Sequence, residues 1–133
     1  MSLAKVTIDR LINAAREAQR QAYAPYSHFP VGAAVLAVDG RVFAGCNVEN
    51  SSFGLTVCAE RNAVAAAIAA GARPVAVAVV ANGDRVAPCG ACRQVLAEFS
   101  PAMPVFLASA DGDTHEATSL EALLPSAFRF EQS

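Results

Sequence analysis

The sequence predicts an α/β domain, a central sheet carrying helices on its faces, and three observations point there. Helix, hairpin, helix, strand, helix and strand patterns follow one another along 133 residues, the order of a layered α/β domain. Apolar residues make up 54% of the chain and charged residues 17%, which suits a packed core and excludes a disordered chain. The most apolar run, Val75-Ala76-Val77-Ala78-Val79-Val80, reads as a strand covered on both faces. A chain of this length fits one domain spanning residues 1–133 and buries roughly 68% of its unfolded surface.

Thr7 is placed to cap a helix running to about Tyr23, with Asp9 in the first turn, where the helix dipole favours it. Ile8, Leu11, Ile12, Ala15, Ala18 and Ala22 recur at helical spacing, while Arg10, Glu17 and Arg20 fall largely elsewhere. Pro25 blocks continuation, and residues 24–30 form a loop holding Tyr26, Ser27, His28 and Phe29. Strands Val31 to Val38 and Arg41 to Cys46 flank Asp39-Gly40, a two-residue signal for a tight hairpin. After a polar loop from Asn47 to Val57, the alanine-rich stretch Cys58 to Ala70 is a helix ended by Gly71.

Pro74 introduces the buried strand, and Asn82-Gly83-Asp84 turns the chain. Cys89 to Phe99 is a helix, periodic through Cys92, Val95, Leu96 and Phe99. Pro101 and Pro104 precede a strand from Val105 to Ser109. A turn at Asp111-Gly112-Asp113 leads to a weaker strand near His115 to Thr118. Ser119 caps a last helix, Leu120 to Leu124, which Pro125 ends.

Ten basic and twelve acidic residues give a net charge of −2. The basic residues are scattered, so no basic patch speaks for polymeric nucleic acid, and a small neutral ligand fits better. A mean hydropathy of +0.35 leads us to expect apolar surface buried against another subunit. The amino-terminal residues lack the apolar stretch of a secretion signal and no run approaches ~18 apolar residues, so neither a leader nor a membrane span is expected. A cytoplasmic location with reduced thiols is therefore expected, and Cys46, Cys58, Cys89 and Cys92 read better as metal ligands or core residues than as disulfides.

Two segments carry the chemistry: Cys58-Ala59-Glu60 and Pro88-Cys89-Gly90-Ala91-Cys92. Each cysteine group stands at the expected amino end of a helix, where unpaired amides and the dipole stabilise thiolate. A Cys-x-x-Cys turn lets two sulfurs meet one ion, and a third from another helix completes a three-thiolate face. Zinc prefers such soft ligands in tetrahedral geometry, with the fourth position left for water. Glu60, two positions after a ligand, can reach the open side of the metal without binding it. There a carboxylate can take a proton from zinc-bound water, whose pKa falls to about 7 in favourable sites, and pass it to a substrate nitrogen. Such acid–base help contributes on the order of 10²–10⁴ in rate.

These segments resemble the zinc-dependent nucleoside and nucleobase deaminases, in the form where cysteine replaces the first-ligand histidine. More narrowly, nearly the whole chain resembles the small homotetrameric cytidine deaminases. Pro25-Tyr26-Ser27, Phe29-Pro30-Val31-Gly32-Ala33-Ala34, Gly45-Cys46-Asn47-Val48-Glu49-Asn50, Cys58-Ala59-Glu60-Arg61 and Leu123-Leu124-Pro125 carry that likeness. It implies a three-layer α/β/α sandwich around a mixed sheet and one zinc per subunit on Cys58, Cys89 and Cys92. Glu60 would shuttle protons in the hydrolysis of free cytidine and 2′-deoxycytidine to uridine and 2′-deoxyuridine, a step of pyrimidine salvage that releases ammonia.

By the same resemblance, Asn47 and Glu49 would hydrogen-bond the ribose hydroxyls, Phe29 and Ala59 would line the base pocket, and Phe128 would lie over the base in a neighbouring subunit. A zinc ion with three thiolates carries a net negative charge that weakens it as a Lewis acid. Arg61 beside the sulfurs would offset that charge. The sequence departs from many relatives at Phe53, where tyrosine is common, and at Asn62, where threonine is common.

Blander readings remain open at several positions. Cys46 as a fourth ligand would close the site and make it structural, although its hairpin-strand setting favours a small buried hydrophobe. Glu60 could be a surface carboxylate, Asn47 and Glu49 loop caps, Phe29 plain core, and Phe128 a local helix-end contact. His28 and His115 have no partner at metal spacing. The competing functions are a deaminase for a cytosine-nucleoside antibiotic such as blasticidin S, a non-enzymatic zinc-stabilised module, and a polynucleotide editor.

Overall fold

Alternation along the strands decides the layering. In the computed structural model, which describes residues 3–83 and 85–130, strands β1 (Val31–Ala37), β2 (Val42–Cys46), β3 (Pro74–Ala81), β4 (Pro104–Ser109) and β5 (His115–Ser119) join one sheet in the order β2-β1-β3-β4-β5. All neighbours are antiparallel except β3 and β4, so the sheet is mixed. The helix between those two strands, α3 (Gly90–Ala97), supplies the crossover that a parallel pair requires.

Side chains two apart face the same side of a strand. Ala33, Val35, Val77, Val79, Val105 and Leu107 point to one face, where α2 (Ala59–Ala69), α3 and α4 (Leu120–Leu123) pack through Ala63, Ala67, Leu96 and Leu120. Ala34, Leu36, Ala76, Ala78, Val80 and Phe106 point to the other face and meet Leu11, Ile12 and Ala15 of α1 (Lys5–Gln19). This is the expected three-layer α/β/α sandwich, and the Val75–Val80 run is covered on both faces as its composition implies.

Two glycines set how closely the layers meet. A Cβ on Gly45 of β2 would lie 2.5 Å from the Ala63 amide nitrogen and 2.8 Å from the Ala59 carbonyl oxygen. One on Gly32 of β1 would collide with the Ala15 carbonyl oxygen. The hairpin is therefore in backbone contact with α2 on one side and α1 on the other.

Three expectations are corrected. Helix α1 starts at Lys5 with Ala4 at its cap, and Thr7 lies inside it. It ends at Gln19 instead of Tyr23, because the Tyr23 amide donates to the Asn47 carbonyl at 3.0 Å and the Tyr23 carbonyl accepts from the Glu49 amide at 2.9 Å. Those long-range bonds hold Tyr23 extended. The hairpin loop has three residues, since the Ala37 amide already pairs with the Arg41 carbonyl at 2.8 Å, and Gly40 takes the left-handed position at φ 90°.

The remaining elements fall within a residue or two of expectation. Ser119 caps α4 as expected, its Oγ accepting from the Ala122 amide at 3.3 Å. In the Asn82-Gly83-Asp84 turn Gly83 has φ 74°, while Asp84 lies outside the described residues. No helix among the described residues is long and apolar enough to cross a membrane.

Candidate active site

Helices α2 and α3 each begin on a cysteine: Cys58 caps the first and Cys89 the second, with Cys92 in the first turn of α3. The two helices lie on the same face of the sheet, which brings their amino ends together. The three Sγ atoms lie within 4.8 Å of one another, with Cys58 to Cys89 at 3.9 Å and Cys89 to Cys92 at 3.5 Å. Sulfurs about 2.3 Å from one tetrahedral zinc would stand about 3.8 Å apart. The donor set is three cysteine sulfurs, soft and tetrahedrally spaced, so it fits one zinc ion. Cys46 is not part of this group; it is half-buried at the end of β2, and its carbonyl accepts from Asn62 Nδ2 at 2.8 Å.

Electrostatics around the sulfurs call for a cation. Burial pushes the Cys92 thiol up, and the Glu60 charge pushes it further. At Cys89 burial is also the largest influence, yet the Cys92 amide and thiol, the Cys58 thiol and the Ala91 amide outweigh it and hold the group below the usual thiol range. Arg61 Nη2 donates to Cys58 Sγ at 3.3 Å, and contact with the Cys58 and Cys92 sulfurs holds the guanidinium above its ordinary range. The Arg61 Nε is buried with no hydrogen-bond partner.

Glu60 sits in the first turn of α2 and is only 5% exposed. Burial raises its carboxyl above the ordinary range, against weaker opposition from its own amide and Arg61. It lines a cavity of about 260 Å³ together with Cys58, Cys89, Ala59, Phe29, Asn47 and Glu49. Residues from α2, the α3 start, β1 and the loop after β2 thus meet in one place. A second cavity of about 350 Å³, lined by Tyr26, Ser27, Glu49, Phe53 and Thr56, adjoins the first through Ser27, Glu49 and Thr56. No lysine or arginine lines either cavity among the described residues.

Asn47 and Glu49 line the cavity and also build its wall. Asn47 Nδ2 donates to the Phe29 carbonyl at 3.0 Å, and its Oδ1 accepts from the Val31 amide at 2.9 Å. Glu49 Oε1 accepts from the Tyr26 and Ser27 amides at 3.0 and 3.1 Å, and Oε2 accepts from Ser27 Oγ. The Ser27 hydroxyl, followed by burial acting in the opposite sense and by those two amides, leaves Glu49 below the usual carboxylate range. One amide hydrogen of Asn47 and further carboxylate lone pairs stay free for a ligand.

Phe128 is 71% exposed and does not line the cavity of its own chain; its carbonyl accepts from Gln94 Nε2 at 2.9 Å. Sequence reasoning missed Arg93, whose Nε donates to the Pro88 carbonyl at 2.7 Å and whose Nη1 donates to the Leu123 carbonyl at 2.8 Å. It ties the Cys89 turn to the end of α4. Its place directly after Cys92 was the available signal.

The family model for the cytidine and deoxycytidylate deaminase zinc-binding region matches residues 5–108. The chain belongs to this family. It is 52% identical over 124 residues to the cytidine deaminase of Sporosarcina psychrophila, covering 91% of this chain and 90% of that protein. It is 54% identical to that of Halalkalibacterium halodurans, covering 91% and 93% respectively. The crystal structure of cytidine deaminase from Burkholderia pseudomallei superposes with a TM-score of 0.84 at 53% identity, covering 90% of this chain and 98% of that one. The matched residues span Glu60 and all three converging cysteines.

Proposed function

We propose that this chain is a catalytic domain that hydrolyses free cytidine and 2′-deoxycytidine to uridine and 2′-deoxyuridine with release of ammonia. The observation that carries the reading is a buried carboxylate, Glu60, in the same cavity as three converging sulfurs. Relatives at 52% and 54% identity are cytidine deaminases, which favours neither an antibiotic nucleoside nor a purely structural metal.

A zinc ion held by Cys58, Cys89 and Cys92 would supply a Lewis acid that lowers the pKa of water toward about 7. Glu60 takes the proton from the attacking water and delivers it to N3 of the pyrimidine. A second proton passes through Glu60 to the amine, so the C4–N bond breaks as the C4–O bond becomes a carbonyl and ammonia leaves. The raised Glu60 carboxyl suits it to hold a proton between these steps. Phe29 and Ala59 flank the base, while Asn47 and Glu49 offer their remaining hydrogen-bonding capacity to the ribose hydroxyls. With Glu49 in the cavity and no lysine or arginine lining it among the described residues, a 5′-phosphate would be repelled, so a nucleoside is favoured over a nucleotide.

The active form in this reading is a homotetramer in which Phe128 reaches a neighbouring subunit's base pocket. The exposed Tyr26, Phe53, Leu55 and Phe128 support a buried interface. The function is tested by following pyrimidine absorbance with cytidine, with and without a zinc chelator, for the wild type and for Glu60→Gln. Wild-type turnover abolished by chelation is expected, with Glu60→Gln retaining zinc and fold while losing a factor of about 10²–10⁴ in rate. Full activity in Glu60→Gln, or faster turnover of blasticidin S than of cytidine, would sink the reading.

A further inference from the structure

We infer that Gln19 is a positioning residue for the pyrimidine end of the cavity, acting through the Pro30 carbonyl. The inference rests on the cytidine deaminase reading, in which Phe29 flanks the base. Gln19 is the last residue of α1 and does not line the cavity, yet it is only 8% exposed. A buried amide needs partners, and the partners it has are informative. Its Nε2 donates to the Pro30 carbonyl at 3.1 Å and to Asn82 Oδ1 at 3.0 Å, so both amide hydrogens are used. One nitrogen thereby joins the end of α1, the entrance to β1 and the turn after β3.

Pro30 separates Phe29 and Val31, both of which line the cavity. Proline has no N–H, so its carbonyl is its only backbone hydrogen-bonding handle, and Gln19 holds it. Asn47 grips the flanking residues, at the Phe29 carbonyl and the Val31 amide. The segment begins at His28, which stands in the left-handed region at φ 55°, a conformation that persists only where the surroundings impose it. The His28 amide donates back to the Ala24 carbonyl at 3.0 Å, and Gln19 and Asn47 fix the residues that follow it, at the Pro30 carbonyl and at Phe29 and Val31. Asn82, exposed on the turn, keeps the Gln19 amide aimed. Gln19 does not line the cavity, so its influence is on where Phe29 stands.

The test compares Gln19→Met, which keeps volume but cannot donate, with Asn82→Ala and with Asn82→Asp, which keeps an acceptor. We measure kcat and KM for cytidine, uridine affinity by calorimetric titration, zinc per chain and Tm. Gln19→Met removes both bonds; loss of the one to the Pro30 carbonyl should raise cytidine KM and uridine Kd about five- to tenfold, with kcat within about twofold and zinc content unchanged. Asn82→Ala should move both constants in the same direction by less, and Asn82→Asp should leave them at wild-type values.

A lowered Tm with unchanged KM and Kd would mean a merely structural glutamine and would overturn the inference. Should Gln19→Met fail to fold, the exposed Asn82 pair decides: equal constants in Asn82→Ala and wild type overturn it. Wild-type protein without cytidine turnover overturns the proposed function and this inference together. An active wild type with an unaltered Gln19→Met overturns the inference alone.

Discussion

Glu49 is the residue whose charge state most clearly couples the cavity wall to pH. Its carboxylate is held below the usual range by the Ser27 hydroxyl and two amides, so the folded protein binds its proton more weakly than the unfolded chain. The stability this gives is fully present above the unfolded pKa and is lost as pH falls through the folded one. Glu49→Gln should therefore lower Tm near pH 7 and lose that difference as the solution is taken well below pH ~4. A calorimetric series showing a constant difference across that range would contradict the assignment.

Arg61 acts on the neighbouring sulfurs. With Nη2 at 3.3 Å from Cys58 Sγ, its removal leaves three thiolates without their cationic neighbour. Arg61→Ala should lose zinc about 10–100-fold more readily to a competing chelator, measured as metal per chain after dialysis. Unchanged retention would refute the role.

Among the elements, the junction of β2 with α2 is the most exposed to a small change. Gly45 leaves no room for a methyl group against the Ala63 amide and the Ala59 carbonyl, and α2 carries Cys58 at its cap and Glu60 in its first turn. Gly45→Ala should cost about 1–3 kcal/mol, as overpacking does, and reduce turnover by displacing that turn. Denaturant titration and the cytidine assay check both. The element pattern was readable wherever local signals governed it: the alternating run of β3, the alanines of α2, the Ser119 cap and the two cysteine-started helices. It failed where distant residues intervene, as at Tyr23, held by Asn47 and Glu49 across the fold. Gln19 was hidden by its polarity, although its spacing from Leu11 and Ala15 puts it on the buried stripe of α1. Cys58, Glu60, Cys89 and Cys92 were legible because their spacing is local and their chemistry narrow. The bracing by Asn47 and Glu49 answers to the loop-capping reading the sequence offered, while the amides and carbonyl they hold needed coordinates.

For the molecule as a whole, the apolar surface is the open account. Phe53 is 73% exposed and meets Tyr26 edge-on, with ring centroids 5.7 Å apart, at the mouth of the outer cavity. If subunits cover this rim, Phe53→Asp should shift sedimentation to a smaller species and lower activity at the same protein concentration. Identical sedimentation of both proteins would remove this face from the interface.

The backbone beneath the sulfurs is anchored by apolar packing: Ala59, Ala63 and Leu96 are all fully buried in one cluster. Zinc fingers, by contrast, have no fold until the ion arrives. Here the ion should behave as a bulb in a socket. Stripping it should leave far-ultraviolet circular dichroism unchanged and darken only the chemistry, and resupply should relight it within mixing time, with no refolding lag.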